Sequence, residues 1–166
     1  MFVLGIDPGL SRCGYACVES GARGPLARAI GVIRTAPGDD LPTRLTELQL
    51  ELRALLAETR PAVVAIERVF FQVNVRTAMA VGQASGLAMV EAHVAGAEVV
   101  EYTPTQVKQA VAGDGRADKG QVGQMVATLL GLDSAPRPAD AADAAALALC
   151  HLAHAPMRRV VAARRG

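Results

Sequence analysis

The chain has 166 residues, 51% of them hydrophobic and 3% aromatic, enough for one domain that buries roughly 70% of its unfolded surface. Its formal net charge of +1 argues neither for nor against a polyanionic partner. The uncharged stretch from Thr77 to Val90 carries Gln83 and Ser85 and falls short of the roughly 18 apolar residues that suggest a membrane span.

The first third reads as three strands, Met1 to Asp7, Gly14 to Glu19 and about Leu26 to Thr35. Their Gly-, Pro- and Arg-rich connections favour antiparallel hairpins. After the break at Pro37-Gly38-Asp39-Asp40, apolar residues at 41, 45, 48, 52, 55 and 56 predict a helix over Leu41 to Thr59, with charges on the opposite side. Pro61 leads into a strand, Ala62 to Glu67, then a helix from Asn74 to Ala95 and a strand from Ala97 to Tyr102. Thr103 and Pro104 suit the N-cap and first position of a third helix. A loop over Ala112 to Arg116 precedes a helix from Ala117 to Leu130, and Pro136 and Pro138 punctuate the approach to a last helix from Asp140 to about Ala155. The order β-β-β-α-β-α-β-α-α-α predicts a mixed α/β sheet of five strands, three antiparallel and then parallel additions, with helices on both faces. Residues 1–156 read as a single domain. Residues 157–166, with Arg158, Arg159, Arg164 and Arg165 and no acid, read as a basic, flexible tail that is solvated at minimum and suited to phosphate contact.

Four carboxylates carry the chemistry. Asp7 closes the apolar run Phe2 to Ile6 before Pro8-Gly9, Glu67 closes Val63 to Ile66, and Asp140 and Asp143 open an alanine-rich segment. Three residues apart, the last two share one helix face. Taken singly, an Asp before Pro-Gly is often a turn former and Asp140 suits an N-cap. Taken together, acids at the ends of two central-type strands point to a site, because a buried carboxylate without a partner is costly. Two carboxylates about 4 Å apart repel by about 4 kcal/mol at an effective dielectric near 20. Convergence therefore calls for a cation, and an all-oxygen set favours Mg²⁺ or Mn²⁺; two ions per site would support phosphoryl transfer. Cys13, Cys17 and Cys150 show no metal-ligand spacing and leave an odd thiol, and no signal peptide precedes the first strand, so reduced thiols in a cytoplasmic protein are expected.

The order of elements and five stretches together resemble the RuvC family of bacterial Holliday-junction resolvases, within the ribonuclease H-like superfamily. The stretches are GIDPGLSRCGYA at 5–16, AIERVFFQVN at 65–74, GQASGLA at 82–88, EYTPTQVKQAVAGDGRADKGQV at 101–122 and ADAADAAALALCH at 139–151. The resemblance implies a homodimeric, Mg²⁺-dependent endonuclease that cuts four-way DNA junctions in recombination and repair and works with the RuvA and RuvB branch-migration proteins. It puts Asp7, Glu67, Asp140 and Asp143 on the family's catalytic acids. Asp7 is then the expected bridge between two metals, with Glu67 completing one and Asp140 and Asp143 the other.

Phe70 and Phe71 either plug the core or, on a surface connection beside an active-site strand, offer Phe70 as a stacking platform for an unpaired base; the resemblance favours stacking. Arg68 and Arg76 bracket that segment as phosphate contacts or as plain surface charges. Lys108 and Lys119 flank the loop Gly113-Asp114-Gly115-Arg116, and the resemblance assigns both lysines to DNA cleavage, with Arg116 beside them. Gly82 and Gly86 leave one helix with a small surface that admits a close neighbour, within the core or across a dimer; the resemblance favours the dimer. His151 and His154 lie more than about 10 Å along the helix from Asp143, so they and His93 are expected in packing or at the surface. Competing classes are an actin-like ATP-dependent protein, which needs a second half, and a nuclease-like fold that binds DNA without cutting it.

Overall fold

The computed structural model describes the backbone of residues 1–68 and 75–163, and the side chains of these residues apart from 75–77 and 156–163. The described residues form strands β1 (Phe2–Asp7), β2 (Arg12–Gly21), β3 (Gly24–Arg34), β4 (Val63–Glu67) and β5 (Glu98–Tyr102). Helices are α1 (Leu41–Thr59), α2 (Val75–Val94), α3 (Pro104–Ala112), α4 (Lys119–Leu130) and α5 (Ala139–Ala163). The sheet order is β3-β2-β1-β4-β5, antiparallel from β1 to β3 and parallel from β1 through β4 to β5. This is the expected mixed sheet.

Strand periodicity assigns the two faces. Val3, Ala16, Val18, Val63 and Ala65 join the core beneath α3, α4 and α5. Leu4, Ile6, Cys17, Val64 and Ile66 join the core beneath α1 and α2. Successive side chains on a strand alternate between faces, so Asp7 follows Val3 and Gly5, and Glu67 follows Val63 and Ala65, onto the α5 side. Both acids therefore leave the sheet towards the helix that carries Asp140 and Asp143.

Small residues set how closely α5 approaches. A Cβ on Gly5 would come within 1.9 Å of the Ala144 carbonyl oxygen, and one on Gly14 within 2.0 Å of the Asp140 carbonyl oxygen. Gly14 lies opposite Asp7 across β1–β2, so the start of α5 settles beside the end of β1. Ala141, Ala144, Ala145 and Ala148 are fully buried at this contact.

Local signals define most helix starts. Asp40 caps α1, and Thr103 forms a capping box with Gln106 ahead of Pro104. Asp118 forms a second box with Gln121, which starts α4 at Lys119 rather than at the expected Ala117. β2 begins at Arg12, before the expected Gly14. At the other end, α5 continues to Ala163, past the expected end near Ala155 and into the segment read as a tail. A proline removes one helical hydrogen bond, but Pro156 does not stop the helix here.

Candidate active site

Asp7 and Glu67 end neighbouring parallel strands, with Ile6 in register with Ile66. Both are half-buried. Asp140 stands in the first turn of α5 and Asp143 follows on the same face. Electrostatics ties the four together. The Asp7 carboxyl is pushed up to about 7, first by burial and then by the charges of Asp143, Glu67 and Asp140. Glu67 is raised as well, by burial and then by Asp143.

Two cationic side chains answer part of this charge. Lys119 Nζ donates to Asp143 Oδ2 at 2.8 Å, and that bond, ahead of Asp143's charge, raises the lysine pKa. Arg12 Nε lies 3.3 Å from Asp140 Oδ2. This contact lacks hydrogen-bond alignment, and Oδ2, buried within the protein, accepts no hydrogen bond. With Asp143 drawn to a lysine and Asp140 to an arginine, no three ligand side chains among the described residues stand ready to hold an ion. The donor set nonetheless fits a hard divalent cation. All donors are carboxylate oxygens, burial and then mutual repulsion lift two of them, and one buried oxygen is orphaned.

Lys108 and Lys119 line one cleft together with Glu67, Asp143, Pro104 and Val107, so both expected lysines come to the acids. Arg116 does not line this cleft. Its side chain is 94% exposed, 3.8 Å from Asp114, in a contact of little energetic weight. Arg68 is exposed, and its backbone N–H donates to the Tyr102 carbonyl. Phe70, Phe71 and the Arg76 side chain lie outside the described residues. Gly82 and Gly86 sit on the outer side of α2, where an added Cβ would meet nothing within 4 Å among the described residues; packing among those residues does not explain them. His151 is buried and its Nδ1 lies 2.9 Å from the Tyr102 hydroxyl, a packing role as expected. Arg12 and Arg137, which lines a hollow with Lys119 and Asp143, are missed by the sequence reading. The packing of α5 against β2 at Gly14 brings Arg12 to Asp140.

A mixed sheet in this order, with acids at the ends of β1 and β4 facing the first turns of a C-terminal helix, defines a nuclease fold of the ribonuclease H-like class. The family model for crossover junction endodeoxyribonuclease RuvC matches residues 3–151, and the chain belongs to that family. A crossover junction endodeoxyribonuclease RuvC from Salinispora arenicola is 56% identical over 153 residues, covering 92% of this chain and 87% of that protein. The structure of Thermus thermophilus RuvC in complex with Holliday junction substrate superposes with a TM-score of 0.90 at 40% identity, covering 95% of this chain and 96% of that chain. The yeast mitochondrial Holliday junction resolvase Ydc2 shares the fold alone, with a TM-score of 0.69 at 16% identity over 95% of this chain and 82% of that chain.

Proposed function

We propose that this chain is a Holliday-junction resolvase that works as a homodimer, depends on Mg²⁺ with Mn²⁺ as a substitute, and makes paired nicks in opposed strands. The observation that carries the reading is the meeting of Asp7, Glu67, Asp140 and Asp143 at one end of the sheet, in a chain of the crossover-junction endodeoxyribonuclease family. Residues 1–156 act as one nuclease domain. The cell's cytoplasm is the proposed location, with RuvA and RuvB as branch-migration partners.

Asp7, central in the cluster, would hold divalent cations together with Glu67, Asp140 and Asp143. The chemistry supplied by two bound divalent ions is a lowered pKa for the attacking water and charge relief on the leaving oxygen. Water attack on phosphorus that breaks the P–O3′ bond, with a proton passing from the water to the leaving O3′, leaves a 5′-phosphate and a 3′-hydroxyl. Lys108 and Lys119 hold phosphate oxygens along the cleft, where preorganised positive charge stabilises the transition state. Phe70 stacks on a base of the opened crossover.

The dimer reading rests on α2. Met79, Gly82, Gly86, Val90 and Val94 follow helical spacing on its exposed side, with Met79 58%, Val90 57% and Val94 73% exposed. Glycines there let a second helix approach closely, and a two-fold axis would supply two acidic centres for two opposed strands. Incubation with a labelled four-way junction, in Mg²⁺ and in EDTA, tests the reading. Symmetric paired nicks in Mg²⁺ alone are expected; binding without cutting in either condition overturns it.

A further inference from the structure

We infer that Arg12 is a positioning residue which occupies Asp140 while the metal site is empty and is displaced by a divalent cation onto a DNA phosphate. Metal loading would then tighten the protein's grip on its substrate. The inference rests on the nuclease reading but concerns a residue that reading does not use.

Three observations carry it. The Arg12–Asp140 contact is poorly made: 3.3 Å, without hydrogen-bond alignment, to an oxygen that is otherwise orphaned. A cation bound by Asp140 removes the attraction and adds repulsion, so the guanidinium has to leave. Arg12 is also pushed from behind, because it lies directly opposite Arg34 in the β2–β3 register, and like charges in that relation are destabilising. Finally, the backbone is anchored while the side chain is 54% exposed. Arg44 of α1 donates to Ser11 Oγ at 2.6 Å and to Thr35 Oγ1 at 2.9 Å, and Thr35 Oγ1 donates to the Leu10 carbonyl at 2.6 Å. The side chain therefore swings from a fixed base at the rim of the acidic cluster. An arginine so placed suits a phosphate oxygen, for which its planar fork is matched.

The test is a two-by-two comparison of parent and Arg12→Gln, in EDTA and in constant Ca²⁺, with junction affinity followed against salt. In EDTA the two proteins should show the same slope. In Ca²⁺ the parent's slope should be steeper by about 0.9, the value of one added phosphate contact. An equal gap in both conditions would make Arg12 a constant phosphate contact, and no gap in either would make it a bystander; each overturns the inference. Mn²⁺ titration followed by electron paramagnetic resonance, without DNA, gives a second readout. Arg12→Gln should bind Mn²⁺ about two- to five-fold tighter, the worth of an exposed ion pair, and this gain should vanish in an Asp140→Asn background. Unchanged or weaker Mn²⁺ binding in Arg12→Gln overturns the inference. Failure of the parent to prefer a four-way junction over duplex would sink the substrate assignment instead, and the Mn²⁺ titration still decides Arg12.

Discussion

Among single residues, Asp7 has the largest consequences because three other acids surround it. Asp7→Asn, Glu67→Gln and Asp143→Asn should each abolish cutting and leave junction binding intact or tighter, since less negative charge faces the phosphates. Cleavage and gel-shift assays on the same preparations check this, and joint loss of both activities would make the acids structural. The raised pKa has a sign that can be followed. The folded chain holds a proton on Asp7 up to about 7, whereas an unfolded carboxyl releases it near 3.8. The folded state then binds more protons, so this group's stabilising contribution, full below about pH 4, is lost as pH rises towards 7. The loss is about 4 kcal/mol at about 1.36 kcal/mol per pH unit. Relative to the parent, metal-free Asp7→Asn should therefore gain stability in urea melts between pH 4.5 and pH 7.5, and Mg²⁺ should restore the parent at the higher pH. A constant difference between the two proteins across that range would show that burial and the neighbouring acids do not raise the Asp7 pKa.

The decisive contact between elements is α5 on β1. Gly5→Ala places a methyl 1.9 Å from the Ala144 carbonyl, and backbone cannot yield as a side chain can. Overpacking of this kind costs about 1–3 kcal/mol, and the helix that shifts carries both Asp140 and Asp143. Cleavage should fall by far more than thermal stability alone predicts, and a Gly5→Ala protein that cuts like the parent would show that the close approach is dispensable. The cleft between α3 and α4 carries a separate expectation. Lys108→Ala should weaken cutting and lower the salt slope of junction binding by about 0.9, as loss of one phosphate contact requires. An unchanged slope places that lysine away from DNA.

At the scale of the whole molecule, the outer side of α2 governs assembly. A Cβ at Gly86 meets nothing within 4 Å among the described residues, so the fold should survive Gly86→Trp. Sedimentation should show dimers for the parent and a larger monomer fraction for the variant. On a supercoiled plasmid cruciform, the parent should cut both strands nearly together and the variant should accumulate single nicks. Parent protein that sediments as a monomer would remove the dimer reading and leave the nuclease chemistry standing.

Much of this was legible in the sequence by itself. Apolar runs ending in Asp7 and Glu67 marked strands that terminate in acids, and the stripe from Leu41 to Thr59 marked α1 with its observed bounds. Thr103 and Pro104 announced α3. Strand period sets the alternation along each strand, but the β1–β4 register, with Ile6 beside Ile66, puts Asp7 and Glu67 on one face. Tertiary structure decided what depends on partners distant in sequence. Sheet order brought β1 beside β4, and bare glycines at 5 and 14 let α5 descend until its two acids joined theirs. The same descent set Arg12 against Asp140 and Lys119 against Asp143, pairings separated by more than a hundred residues in one case and by 24 in the other. Local propensity records which element a residue forms, but a long-range ion pair exists only once packing has fixed the separation between charges, and no spacing along the chain encodes that distance.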